Sequence, residues 1–175
     1  MLKSFFLFLS TLISLSVAAV YQSPGIQEGE CFQRTSAPVF LRSRGLYENP
    51  ADGIARYDFA IVGKEGSRHP NQVVGNIVGT YSELGRHPSS VKEAVEIPHL
   101  EVYSGFRGHQ YGEAALRTLI GVFRSPKRQA LNFNRFELCV GLYAERAAAR
   151  HIYEKVGFTV RERTDFGYAY MQLAR

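Results

Sequence analysis

The segment from Arg107 to Leu116 contains residues that could bind a diphosphate. It reads Arg-Gly-His-Gln-Tyr-Gly-Glu-Ala-Ala-Leu and stands between a predicted strand and a predicted helix. The first turn of a helix has unpaired N–H groups and a partial positive charge, so a glycine-containing loop leading into it can bind phosphates with backbone donors alone. Gly108 and Gly112 lack a Cβ and would permit close approach. Arg107 adds a charged donor.

Other chemistry-bearing residues form no recognisable constellation. His109 and His151 are interpreted as a solvated loop residue and a solvated helix residue, and no metal-ligand pattern occurs. The separation of Cys31 and Cys139 matches neither a metal site nor a redox motif, so both are predicted to be free. Cys139 is interpreted as a small core residue of a strand, and a Cys31 to Cys139 bridge stays open for an oxidising compartment.

The elements before and after the glycine loop follow from residue periodicity. Tyr57 to Val62 and Val73 to Tyr81 are rich in β-branched and aromatic residues and predict an antiparallel hairpin. A third strand is predicted over Val95 to Val102. From Gly112 to Arg124 the apolar residues recur at helical spacing, which predicts a helix with one buried face.

The C-terminal part repeats the alternation of strand and helix. A strand is predicted over Phe136 to Tyr143 and a helix over Glu145 to Val156, with Gly157 as its stop. A last strand pair is predicted over Phe158 to Arg163 and Tyr168 to Leu173. The order β-β-β-α-β-α-β-β predicts an α+β or α/β protein, a mixed sheet with helices covering its faces in three layers.

The N-terminal part reads differently. Lys3, the apolar run Phe5 to Val17 and the small residues around Ala18 predict a secretory signal over residues 1–19, and hence a secreted or periplasmic protein. An uncleaved anchor, or a buried first element of a cytoplasmic protein, is the alternative. Residues 20–55 contain so many glycines and prolines that mainly loop is predicted, with one short strand at Pro38 to Arg42.

Length and charge bound the class of protein. The chain has 175 residues and a formal net charge of +5, which suit one globular domain with an anionic partner. Coenzyme A, nucleic acid and membrane surfaces all qualify by charge. The basic residues are scattered and no nucleic-acid motif appears, so neither a nucleic acid nor a stable membrane partner is expected.

Two segments resemble the motifs of one family. Val102 to Gly112 resembles motif A of the GNAT acetyltransferase superfamily, in which a strand leads into Arg/Gln-x-x-Gly-x-Gly/Ala, and Tyr143 to Phe158 looks like motif B. Gln110 and Arg146 depart from the residues usual there. The resemblance covers residues 56–175 and implies a GNAT-like mixed, mostly antiparallel sheet flanked by helices. The N-terminal helical part would be shortened, since only residues 20–55 could supply it.

The resemblance also implies an N-acetyltransferase that moves an acetyl group from acetyl-coenzyme A to a primary amine. Acetyl-coenzyme A would lie between the strands Val95 to Val102 and Phe136 to Tyr143. Glu96 is the candidate base, with Glu101 competing, and Tyr153 is the candidate acid for the leaving thiolate. A salt-bridged carboxylate and a packed tyrosine are the structural alternatives. The implied cofactor-binding residues are Leu100, Glu101, Val102, Arg107, Gly108, His109, Gln110, Tyr111, Gly112, Glu113 and Arg146.

The acceptor and the assembly stay open. A small-molecule amine, a lysine or a peptide N-terminus would all suit, and a homodimer is allowed. The competing interpretation is a secreted GNAT-fold binding module without catalysis, since acetyl-coenzyme A is scarce outside the cytosol. Direct binding of acetyl-coenzyme A and release of its thiol would separate the two.

Overall fold

The computed structural model describes residues 26–49, 54–82, 94–125 and 135–174. The predicted signal segment, residues 1–19, lies outside these ranges. The strands are β1 (Cys31–Gln33), β2 (Val39–Asn49), β3 (Ile54–Gly63), β4 (Val73–Ser82), β5 (Ala94–Val102), β6 (Arg135–Gly141), β7 (Thr159–Arg163) and β8 (Tyr168–Ala174). The helices are α1 (Tyr111–Phe123) and α2 (Ala147–Val156), each preceded by a short 3-10 turn. None of the described helices is long and apolar enough to span a membrane.

The strands form one sheet in the order β1-β2-β3-β4-β5-β6-β8-β7. Only β5 and β6 run parallel, and every other neighbouring pair is antiparallel. The predicted hairpin, both predicted helices and the antiparallel C-terminal pair are therefore confirmed, as is the mixed, mostly antiparallel sheet. Gly157 ends α2 at φ 109°, a left-handed conformation that glycine adopts without strain.

The interpretation of residues 20–55 as mainly loop is wrong for residues 31–33 and 39–49, and the short strand predicted at Pro38 to Arg42 is the beginning of β2. This stretch contains β1 and the whole of β2, an 11-residue strand that pairs with β3 along its length. Gly45 takes φ 121° where the register of the two strands shifts, so it forms a bulge and the strand continues. The glycine that seemed to interrupt the strand is the residue that allows it to bend.

The core lies on one face of the sheet. Tyr57 of β3, Phe123 of α1 and Phe136 of β6 are fully buried and meet edge to face, with ring centroids 5.7 and 6.5 Å apart. The two helices touch each other, since Arg117 of α1 donates a 2.9 Å hydrogen bond to the carbonyl of Lys155 in α2. Both described helices thus cover the same face. The described residues form two layers, not the three that the element order predicts.

The other face, here called the open face, carries polar side chains across β2 to β6. Directly opposite residues of an antiparallel pair share a face, and the rows Arg56–Thr80–Glu96 and Asp58–Val78–His99 lie there. Only residues 50–53 separate β2 from β3 in the chain, and no helix occurs in the described residues 26–49.

Both cysteines are free and exposed. Four strands lie between β1, which holds Cys31, and β6, which holds Cys139. A disulfide requires Cα atoms within about 7 Å, so the bridge left open by the sequence is excluded. Cys139 pairs with Tyr170 on the open face, so its interpretation as a core residue is also wrong. Its neighbours Leu138 and Val140 supply the core contacts of that strand.

Candidate functional site

A cleft opens between the two parallel strands of the sheet. Among the described residues, β5 and β6 pair through Ala94 to Glu96 of β5, and the strands then separate. The register between β4 and β5 shifts at the same place, where Ile97 and Pro98 stand opposite Gly79. A bulge bends its strand, and proline has no N–H for a neighbouring strand. The sequence of β5 therefore causes the separation.

The backbone of β5 beyond Pro98 presents hydrogen-bonding groups to this cleft. The N–H of Tyr103 donates to the carbonyl of Val74 in β4 at 3.0 Å. Because hydrogen-bonded and non-hydrogen-bonded pairs alternate in an antiparallel ladder, the backbone of Glu101 also faces β4. The N–H and C=O groups of Leu100 and Val102 face the cleft. The predicted pantetheine contacts are Leu100, Glu101 and Val102. The structure brings the backbones of Leu100 and Val102 to the cleft, and that of Glu101 faces β4.

The glycine loop follows at the open end of the cleft. A Cβ built on Gly108, at φ 82°, would meet no atom within 4 Å, so the space in front of this residue is clear. Gln110 precedes α1 at φ 61° and ψ 13°, the left-handed region, and its side chain caps nothing. Arg107 turns back on the strand, where its Nε donates to the carbonyl of Val102 at 3.2 Å. The loop thus presents its backbone to the cleft.

The connection between β3 and β4 lies against this loop. His69 shares a 3.0 Å hydrogen bond through Nδ1 with the hydroxyl of Tyr111, and its ring is 4.9 Å from that of Phe106 and 5.3 Å from that of His109. Arg68 lines the adjoining cavity of about 290 Å³ together with Pro38, Gly108, His109, Gln110 and Tyr111. Neither Arg68 nor His69 belongs to a motif, so only their basic character could have indicated a role.

Three residues of the predicted set hold the helix in place. The side chain of Tyr111 is buried and bonded to His69, so only its backbone is available to a ligand. A Cβ on Gly112 would lie 3.5 Å from Ile152 and from Val102, so this glycine sits where helix, helix and strand meet. The carboxylate of Glu113 is 2.7 Å from Nζ of Lys155, which lowers its pKa.

The candidate acid lies on the helix face of the sheet. Tyr153 is 9% exposed and packs its ring 6.2 Å from that of Phe158. Burial raises the pKa of its hydroxyl, while the positive charge of Arg146 acts in the opposite direction. The hydroxyl makes no hydrogen bond to any described residue, so its proton is available. Arg146 itself is exposed beside the end of β6.

The two candidate bases lie on the open face. Glu96 is exposed and is the last residue of β5 that pairs with β6, opposite Glu137. Glu101 is also exposed, and its carboxylate is 3.7 Å from Nε2 of His99, which is 3.1 Å from the amide oxygen of Asn76. Glu96 therefore lies at the closed end of the cleft and Glu101 at the open end. Within the described ranges, no cluster of His, Cys, Asp and Glu could hold a metal ion.

Comparison with known proteins found matches to solved structures but none by sequence. No protein-family model matches the sequence, and no curated protein matches it. A crystal structure assigned to the GNAT family of acetyltransferases, from Desulfovibrio desulfuricans, superposes with a TM-score of 0.51 at 10% identity over 68% of each chain. A domain from Methanocaldococcus jannaschii gives 0.51 at 14% identity over 69% of this chain and 67% of that one.

An acetyltransferase from Thermus thermophilus gives a TM-score of 0.50 at 14% identity, over 69% of this chain and 64% of that one. At such low identity, similarity of this kind establishes architecture and leaves chemistry to the site. The described helices, the mixed sheet and the order of its elements agree with that architecture. The chain has the fold of the GNAT acetyltransferases.

Proposed function

We propose that the protein is an N-acetyltransferase that transfers an acetyl group from acetyl-coenzyme A to a primary amine. The observation that carries this proposal is the separation of β5 from β6 directly beside a glycine loop and a helix N-terminus. A cleft with backbone donors and acceptors on one wall suits an amide-containing arm, and the loop suits the diphosphate at the end of that arm.

The residues fit this ligand in three places. Leu100 offers its backbone N–H and C=O, and Val102 its N–H, to the amides of the pantetheine arm, while the carbonyl of Val102 accepts from Arg107. Gly108 leaves open space in front of the loop, which a diphosphate would fill. Arg68 supplies a cation at the adjoining cavity, in addition to Arg107.

The proposed reaction divides its proton transfers between the two faces of the sheet. Acetyl-coenzyme A supplies the acyl group as a thioester. Glu96, on the open face, accepts a proton from the acceptor's ammonium group, and the neutral amine then forms the new C–N bond, after which its nitrogen loses a second proton to solvent. The C–S bond breaks, and Tyr153, from the helix face, donates its proton to the sulfur. Tyr153 is protonated at neutral pH, since an ordinary tyrosine has a pKa of about 10 and burial raises this pKa.

Direction along the cleft favours Glu96 over Glu101 as the base. The diphosphate would lie at the loop that follows the C-terminal end of β5, so the arm would run back along β5 towards its N-terminal end. The thioester is at the far end of that arm. Glu96 lies at this closed end, whereas Glu101 lies near the loop.

A matched pair of glycine variants tests the cofactor site. Gly108 and Gly29 have φ of 82° and 81°, and a Cβ on either meets no atom within 4 Å. Gly108→Ala and Gly29→Ala therefore impose the same backbone strain, but only the first places a methyl group in front of the loop. We expect Gly108→Ala to weaken acetyl-coenzyme A binding at least about tenfold by calorimetry, as the loss of a charged hydrogen bond would, and Gly29→Ala to leave it unchanged.

Two outcomes would redirect the proposal. Equal affinity in both variants, with the fold intact by circular dichroism, would contradict this assignment of the diphosphate site. Tight binding without thiol release, for every amine in a broad panel, would favour the non-catalytic binding module instead. Thiol release that depends on an amine and on Gly108 would support the enzyme.

A further inference from the structure

The open face contains a cavity that the acyl-transfer site does not use. Its volume is about 460 Å³, within the usual range for small-ligand sites. It lies across β2, β3, β4 and β5, on the side of the sheet that carries both candidate bases. Its polar lining consists of Arg44, Arg56, Asp58, Asn76 and His99.

Charge changes sign across this face. At the β2 and β3 side stand Arg44 and Arg56, and at the β5 side stand the carboxylates of Glu96 and Glu101. Arg56 is already bonded to Asp58, with 3.0 Å between Nε and Oδ1. Arg44 is exposed and forms no ion pair with any described residue. The cavity therefore has a guanidinium available at one end and carboxylates beyond the other.

We propose that this cavity selects an acceptor with a carboxylate at one end and the reacting amine at the other, that is, a short peptide. The carboxylate binds Arg44, and the N-terminal ammonium group lies over β5, towards Glu96. Guanidinium groups match carboxylates in shape and in hydrogen-bond geometry, which favours this orientation over its reverse. This proposal rests on the proposed acyl transfer. The amine is placed over β5 because it must reach the thioester in the cleft beside that strand.

The dimensions of the sheet set the size of the acceptor. Neighbouring strands lie about 4.8 Å apart, so β2 and β5 are separated by roughly 14 Å. The side chain of Arg44 extends over part of that distance. An extended chain covers about 3.4 Å per residue, so two or three residues bridge what remains. A single amino acid is too short to reach both ends.

The experiment compares alanylglycylglycine with its C-terminal amide, using the full chain. We expect the wild-type protein to acetylate the free acid with a kcat/KM at least about tenfold higher, the usual lower value of a hydrogen bond between charged groups. Arg44→Gln should remove that preference by lowering kcat/KM for the acid alone. Arg163→Gln, an equal loss of charge at an exposed residue of β7, should change neither rate.

Binding of the peptide, measured by calorimetry in the presence of coenzyme A, separates the two proposals. Arg44-dependent binding of the acid without turnover of any amine would uphold the cavity and overturn acyl transfer. Turnover with equal kcat/KM for acid and amide, or an equal loss of both in Arg44→Gln, would overturn the cavity and uphold acyl transfer. Neither binding nor turnover would overturn both.

Discussion

Gln110 of the glycine loop has a left-handed backbone conformation that is unfavourable for a residue with a Cβ. It takes φ 61° and ψ 13° directly before α1, where the related motif usually has glycine. For residues other than glycine this conformation costs roughly 1–2 kcal/mol, because Cβ approaches the following carbonyl oxygen. The side chain is exposed and makes no capping hydrogen bond, so its removal sacrifices no such bond.

Gln110→Gly should therefore stabilise the protein. Relief of the strain is partly offset by the greater freedom of glycine in the unfolded chain, worth about 0.4–1 kcal/mol. The expected gain in the free energy of unfolding is about 0.5–1 kcal/mol. For a chain of this length, 1 kcal/mol corresponds to a rise in Tm of roughly 2–4 °C. Urea denaturation gives the free energy, and an unchanged m value would show that the unfolded ensemble is comparable.

Two further substitutions at the same position isolate the backbone from the side chain. Gln110→Ala removes the amide but keeps the Cβ, so we expect no gain in stability. Gln110→Asn should give an intermediate gain, because asparagine tolerates the left-handed region better than glutamine. A glycine variant less stable than the wild type, beside a neutral alanine variant, would refute the strain argument.

Three other predictions concern the site. Lys155, and then Arg117, hold the pKa of Glu113 below its ordinary 4.5, so its stabilisation is present above that pH and is lost as pH falls through the folded pKa. Glu113→Gln should lower the free energy of unfolding by about 1 kcal/mol at pH 7, and denaturation curves at decreasing pH should show the difference shrinking below pH 4.5. Tyr153→Phe should lower kcat by about 10²-fold or more while acetyl-coenzyme A affinity stays nearly constant, and a loss under tenfold would argue against its acid role. Glu96→Gln should lower kcat/KM most below the pKa of the amine, as a pH–rate profile would reveal.

Local periodicity predicted the elements that surround the cleft. The helix after Gly112 and the strands on either side of it have alternating or helical apolar patterns that burial against one face requires. The stop at Gly157 and the antiparallel pair after it follow from turn chemistry in the same way. In each case the information lies within a few residues of the element itself.

Of the N-terminal strands, only the beginning of β2 was predicted, because the signals for the rest are not local. β2 contains Gly45 and several polar residues, since its open-face side chains meet no helix among the described residues. A glycine in a bulge has the same appearance in sequence as a glycine in a loop. Pairing with β3 distinguishes the two, and that pairing is a tertiary contact.

Only the contiguous part of the candidate site was predicted from the sequence, because contacts between distant segments leave no local signal. The glycine loop is contiguous, and its residues do lie together at the end of β5. The roles of its two glycines differ, however, because Gly108 faces open space whereas Gly112 packs against Ile152. Contributions from other loops, such as Arg68 from the β3–β4 connection, carry no motif of their own and become visible only in three dimensions.

The open face links the fold to the choice of acceptor. The polar residues Arg44, Asp58 and His99 line one cavity on this face. Helices over this face would need apolar partners, and Arg56 and Asp58 would then be buried as an ion pair at a cost in desolvation. The ion pair between Arg56 and Asp58 is instead exposed, which suits a face that binds a polar ligand. If acyl transfer occurs here, the side chains on the open face of the sheet contribute to recognition of the acceptor.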